Sequence, residues 1–219
     1  MHRLYYSPGA CSMAVHIVLE EIGESYETEL VSSVNGLMTQ TDGWRTKNPK
    51  GRIPALSDVP GKIGGAIDLL TEAHAILLYL ADTHPSAGLA PTDPAGRARC
   101  AEWMNWLSSQ VHGLCYGLIW RPQRFSDDER MFPVLLQKGE QNVRREYNYI
   151  EGLLADGRDW AVPGGYSVVD PYLLVFYRWG QVIGLDMPAN YPAWAGLARA
   201  TVARPAVQSV LAKENIAIF

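Results

Sequence analysis

Residues 5–14 read YYSPGACSMA, and the reading of this stretch decides the fold. Two tyrosines lie in a short β-rich run, RLYYS (3–7), which Pro8 and Gly9 stop. From Cys11 onward Met13, Ile17, Val18 and Ile22 recur at helical spacing until Gly23. The stretch predicts a strand that turns sharply into a helix, with Cys11 at or just before the helix N-terminus. Unpaired backbone N–H groups and the positive end of the helix dipole favour a thiolate there. Such a thiolate can attack a disulfide or exchange with a bound thiol. The competing reading makes Cys11 a small packed residue. No second cysteine stands at CxxC spacing, so a redox cycle through Cys11 needs an external thiol.

Working outward, SYETELV (25–31) alternates and predicts a second strand, and GWRTKNPKGR (43–52) reads as loop or irregular helix. IPALSD and AIDLL predict short strands around a glycine-rich turn, and TEAHAILLYLAD predicts a helix beginning at Thr71. Two β-α-β-like halves of this size imply a small mixed sheet with helices on its faces. THPSAGLAPTDPAG (83–96) is rich in Pro and Gly and reads as a linker. Beyond it Cys100, Trp103, Met104, Leu107, Val111, Leu114, Cys115 and Leu118 make one apolar stripe on a long helix, which Arg121-Pro122 stops. SDDE (126–129) reads as a capping box for the next helix, in which Val143, Tyr147, Ile150 and Leu154 recur. SVVD (167–170) caps another, with Pro171 in its first turn, and shorter helices follow, the last after Arg204-Pro205. The division is therefore an α/β domain over 1–83, a linker over 84–95 and an all-helical domain over 96–219. Function is expected in the crevice between the two domains.

Composition narrows the classes. The chain has 219 residues, 47% hydrophobic and 19% charged, enough for a sizeable core and unlike a disordered segment. A formal net charge of −4 with interspersed signs leaves no basic footprint for nucleic acid or an anionic membrane. Three scattered cysteines make neither a disulfide framework nor a zinc site, and no metal is implied. A reducing, cytoplasmic setting is the expectation, because MHRLYYSPGA lacks the apolar core of a signal peptide and the longest apolar runs are too short to span a bilayer.

Three further features carry chemistry. Ile53-Pro54 opens a strand, where the proline is either a tight-turn residue or a cis proline presenting neighbouring backbone groups. LLTEAHAI ends a strand and starts a helix whose first-turn N–H groups can hold a carboxylate, while Glu72 can pair with an amine. Taken alone, Glu72 reads as a first-turn acid that complements the helix dipole. Asn105, Ser109, His112 and Tyr116 follow i, i+4, i+7, i+11 and share one helical face, either a solvated surface or a polar wall of the crevice. His112 is the group there suited to act near neutral pH. The aromatics around Trp44, Trp120, Trp160 and Trp179 read as packing rather than a ligand cage.

LYYSPGACSMAVHIVLEE, NPKGRIPAL, LLTEAHAILLYLAD, EWMNWLSSQVH and GGYSVVDPYLLVFYRW together resemble the bacterial beta-class glutathione transferases, in order along nearly the whole chain. The resemblance implies a thioredoxin-like N-terminal domain, an all-α C-terminal helical bundle and a cytoplasmic homodimer. It implies detoxification by conjugation of glutathione to a small hydrophobic electrophile, with thiol–disulfide exchange through Cys11 as a second activity. Cys11 matches the cysteine that meets glutathione sulfur, and Tyr6 a tyrosine near it. Pro54 matches a cis proline, and the Ile53 backbone the position that pairs with the cysteinyl part of glutathione as an added strand would. Glu72 matches the acid for the γ-glutamyl amine, and Asn105, Ser109 and His112 match the helix face over the thiol. Two positions depart. Ala73 stands where many relatives carry a serine, which leaves its backbone N–H alone for the γ-glutamyl carboxylate, and Gly113 stands where a basic residue often follows the histidine. Other readings on the same fold are a glutathione-dependent isomerase or dehalogenase and a non-catalytic ligand- or partner-binding protein.

Overall fold

The computed structural model describes residues 1–34, 38–59 and 67–219, without the side chains of 67 and 68. The first part is built from β1 (His2–Tyr6), α1 (Ser12–Ile22), β2 (Tyr26–Leu30), α2 (Asp42–Lys47), β3 (Ala55–Val59), β4 (Ile67–Thr71) and α3 (Ala73–Thr83). The sheet order is β2-β1-β3-β4; β1 runs parallel to β2 and antiparallel to β3, and β3 antiparallel to β4. The crossover from β1 to β2 is α1, as a parallel pair requires. The glycine-rich turn expected between β3 and β4 lies outside the described residues.

Alternation along β1 sorts its side chains. Leu4 is fully buried in the main core, which includes α1 and α3, whereas Tyr5 joins Trp44 of α2, Val31 and Ala55 in a smaller cluster. Every residue of α1 from Ser12 to Leu19 is buried, because the helix packs against β1, α3 and two helices of the second part. Gly23 ends α1 in a left-handed conformation (φ 76°), its N–H returning to the Leu19 carbonyl.

Residues 84–93 connect to the helical part and include a 3₁₀ turn, Pro85–Ala87. There follow α4 (Pro94–Trp106), a π-helical segment (Leu107–Tyr116), α5 (Gly117–Trp120), α6 (Phe132–Leu154), α7 (Val169–Val182), α8 (Met187–Asn190), α9 (Pro192–Val202) and α10 (Pro205–Glu214). Asp93 caps α4, accepting from the Gly96 N–H at 2.8 Å. The expected stripe from Cys100 to Leu118 is buried apart from the half-buried Leu114. The SVVD cap forms: the Asp170 carboxylate accepts from the Ser167 N–H (2.8 Å), and the Ser167 hydroxyl accepts from the Val169 N–H (3.3 Å).

Two expectations differ from the structure. SDDE does not cap α6; the Asp128 carboxylate accepts from the Arg130 N–H and caps a 3₁₀ turn, Glu129–Met131. Pro133 occupies the first turn of α6, where its missing N–H needs no cap. Helix α3 begins at Ala73 rather than Thr71, because Thr71 still pairs with Ala55 in the hairpin.

Candidate active site

The loop between β1 and α1 is held from both sides. The Gly9 N–H donates to the Glu214 carboxylate of α10 (2.8 Å), and the Gly9 carbonyl accepts from Trp179 Nε1 (2.9 Å) and Arg178 Nη1 (3.1 Å) of α7. Glu214 also meets His16 Nδ1 of α1 at 2.8 Å, with both side chains buried. Gly9 has a φ of +65°, where a side chain is strained, and a Cβ there would lie 2.6 Å from the Arg178 guanidinium and displace it. The Ser12 hydroxyl bridges the Ser7 N–H and carbonyl, both at 3.1 Å. The start of α1 is thus fixed to the second part of the molecule two residues before Cys11.

Cys11 is the N-cap of α1, and its thiol donates to the Ile53 carbonyl at 3.6 Å. The Ile53–Pro54 peptide is cis, and Pro54 is buried. Burial pushes the Cys11 thiol up to about 12, against the backbone N–H groups of Cys11 and Ser12. The nearby Glu72 charge adds to the rise and Arg52 opposes it. The helix-terminus argument alone predicts a thiolate, but desolvation outweighs the dipole here. In the unliganded protein Cys11 is a neutral hydrogen-bond donor.

Glu72 stands between β4 and α3 with φ 74° and ψ 118°, a costly conformation for a side-chain-bearing residue. Its carboxylate is exposed and meets Lys50 Nζ at 2.7 Å; the same ammonium donates to the Thr71 hydroxyl at 2.9 Å. Ala73 follows, buried, at the first turn of α3.

The opposite side comes from α4, the π-helical segment and α7. Asn105 and Ser109 are exposed, and the Ser109 hydroxyl donates back to the Asn105 carbonyl at 2.8 Å. His112 is half-buried, edge-on to Trp179 (5.0 Å) and Phe176 (6.2 Å). Burial, then the charges of Arg124 and Arg52, push it down to about 4, while Glu72 acts the other way. It is a neutral imidazole at pH 7. Tyr116 packs beside His112 against the same Phe176 and Trp179, but it is buried, with its hydroxyl 2.6 Å from that of Tyr147.

Cys11 thus meets Ile53 by a hydrogen bond, and the Glu72 charge acts on both Cys11 and His112. Tyr6 lies edge-on to His16 at 5.5 Å, on the side of α1 tied to Glu214. The sequence reading missed Ser108 and Tyr172, whose hydroxyls lie 3.3 Å apart; Tyr172 is buried, and burial holds its phenol protonated. The available signal was the spacing of Tyr172, Phe176 and Trp179 (i, i+4, i+7), which stack in sequence at 4.9 and 5.2 Å. Lys50 was also missed; it lies inside NPKGR, which reads as loop.

Comparison with known proteins bears on the family and the fold. Residues 9–83 match the family model for the glutathione S-transferase N-terminal domain. The chain is 30% identical to glutathione S-transferase GstA of Escherichia coli O157:H7 over 98% of its length and 99% of that protein. Among solved structures, a Sulfitobacter glutathione transferase homologue with bound glutathione superposes with a TM-score of 0.86 at 30% identity, covering 97% of this chain and 98% of that one. A beta-class glutathione S-transferase of Sphingomonas chungbukensis superposes with a TM-score of 0.78 at 30% identity, covering 98% and 100%. The chain belongs to the glutathione S-transferase family.

Proposed function

We propose that the protein is a beta-class enzyme that conjugates glutathione to small hydrophobic electrophiles, with glutathione lying across the crevice described above. The γ-glutamyl amine would take Glu72 from Lys50, and the γ-glutamyl carboxylate would meet the first-turn N–H groups of α3 at Ala73. The cysteinyl backbone would run along Ile53 and Pro54 as an added strand. Its sulfur would then lie beside Cys11 at the N-terminus of α1. The observation that carries this reading is the Cys11 thiol meeting the Ile53 carbonyl at 3.6 Å, with Glu72 close enough for its charge to act on Cys11.

The chemistry follows from the charges. Glutathione's thiol gives its proton to solvent; the thiolate is stabilised by the N-terminus of α1 and by the neutral Cys11 S–H, which can donate to it. The thiolate attacks the electrophilic carbon, a C–S bond forms, and the leaving group departs with its electron pair. His112, neutral, hydrogen-bonds the leaving group or the substrate, and Asn105 and Ser109 line the rim. Tyr6 acts by packing on His16 of the helix that holds the sulfur.

A Cys11 thiol held near 12 supplies almost no thiolate at neutral pH, which favours conjugation over exchange as the main activity. Replacing Cys11 by Ala tests this directly: conjugation persists and exchange with a glutathione mixed disulfide falls. Loss of conjugation in that variant would make Cys11 itself the nucleophile. The expected setting is a cytoplasmic homodimer; sedimentation of the purified chain checks the dimer, and a monomer would remove that part of the proposal.

A further inference from the structure

The turn that leads into Ile53 is internally braced and carries a cation. Asn48 is buried and organises it: its Nδ2 donates to the Arg52 carbonyl (2.8 Å), its Oδ1 accepts from the Lys50 N–H (3.2 Å), and its carbonyl accepts from the Gly51 N–H (2.9 Å). Gln40 Nε2 donates to the Gly51 carbonyl from outside the turn (3.1 Å). Lys50 reaches from this turn to the end of β4, where its ammonium donates to the Thr71 hydroxyl (2.9 Å) and to Glu72 Oε1 (2.7 Å). The ion pair therefore joins the two segments along which glutathione is placed, 48–54 and 71–73.

Two features set this pair apart from an ordinary surface contact. Glu72 holds a costly backbone conformation, φ 74° and ψ 118°, and strain of that kind persists at ligand clamps and active sites. The two side chains are 55% and 58% exposed, so the contact between them is weak and a charged ligand can open it. An α-amino acid head carries an ammonium nitrogen and a carboxylate carbon about 2.5 Å apart on one carbon. The pair offers the complementary charges at 2.7 Å. A zwitterion inserted there replaces one charged contact by two, its ammonium going to Glu72 and its carboxylate to Lys50. The Thr71 hydroxyl keeps its hold on the Lys50 ammonium, so the released cation stays beside the site. The need is particular to this chain: Ala73 has no hydroxyl for the carboxylate, and Lys50 supplies a charge in its stead.

We propose that Lys50 binds the γ-glutamyl carboxylate, and that the Lys50–Glu72 pair is the resting form of a receptor for the zwitterionic head of glutathione. The inference rests on the glutathione reading above for the place of Glu72 and Ala73. It extends that reading by making the whole α-amino acid head, rather than the amine alone, the feature selected.

Calorimetric titration of the purified protein with three thiols tests it. The first is reduced glutathione. The second is 4-aminobutyryl-cysteinylglycine, which keeps the amine and lacks the carboxylate. The third is glutaryl-cysteinylglycine, which keeps the carboxylate and lacks the amine. Lys50→Gln is expected to weaken glutathione and the glutaryl thiol by about three- to tenfold, and to bind the aminobutyryl thiol no more weakly than wild type. Glu72→Gln is expected to weaken glutathione and the aminobutyryl thiol and to spare the glutaryl thiol. Glutathione bound by Lys50→Gln as tightly as by wild type, or more tightly, overturns the proposal, because Lys50 then only competes with the amine. An equal loss for all three thiols also overturns it, because the turn and not the charge is then responsible. The two readings separate. If Glu72→Gln binds every thiol like wild type, the amine lies elsewhere, while a carboxylate-dependent loss in Lys50→Gln still supports Lys50. Wild-type protein that binds none of the three ends both.

Discussion

The two sides of the crevice are built on different principles. On the Cys11 side the groups are fixed by backbone: a helix N-terminus, a cis peptide, an N-cap residue with positive φ, and a Gly9 peptide held at both ends by α7 and α10. On the His112 side they are side chains on a helix, and their direction depends on the helical period. The period changes inside the site, from α at Trp106 to π at Leu107. A backbone-built site keeps its geometry as long as its clamps hold; a period-built one is displaced by a single inserted residue. The contrast predicts that the first side responds to loss of its clamps and the second to loss of individual contacts.

The largest effect should come from the clamp. Glu214→Ala leaves the Gly9 N–H and the His16 ring without their buried hydrogen-bond partner, and each buried group so orphaned costs about 1–3 kcal/mol. Denaturant unfolding should show that loss; a change within error would mean the clamp does not hold the Cys11 loop. Next in size is Glu72→Ala, which should weaken glutathione binding by about 1.5–3 kcal/mol, the value of a hydrogen bond to a charged group. An unchanged affinity would move the γ-glutamyl amine elsewhere.

The other side is sharpened by pH. The folded pKa of His112 lies at about 4, below its ordinary value of 6.5. The unfolded chain therefore binds more protons at this residue between those values, so its contribution to stability falls as pH drops through that window. His112→Gln should flatten the stability profile between about pH 6.5 and 4 relative to wild type, in proportion to that shift. An identical slope in the variant would contradict a desolvated, neutral imidazole. The smallest effect belongs to Cys11→Ala, which should leave conjugation within about 1 kcal/mol of wild type, the net worth of one ordinary hydrogen bond.

The same contrast explains what the sequence made legible. The strand-to-helix turn at YYSPGACSMA, the sheet and the placement of Cys11, Ile53 and Glu72 follow from local rules of turns and caps, and the resemblance named their partners. The charge state of Cys11 did not, because it depends on burial by residues far along the chain. The burial of Tyr116 against Tyr147 was hidden too, and nothing in LSSQVHGLCY announces the change of helical period. Tyr172 and Ser108 were missed for a related reason: α7 reads as core, and only the packed structure turns one of its tyrosines toward Ser108.

The most direct measurement is a calorimetric titration of the wild-type protein with reduced glutathione near pH 7, repeated on Glu72→Ala. The account predicts saturable binding at or below millimolar concentration, weakened about tenfold or more in the variant. No binding by the wild-type protein up to the millimolar range would contradict it, and would leave Cys11 a packed residue in a fold kept for another ligand.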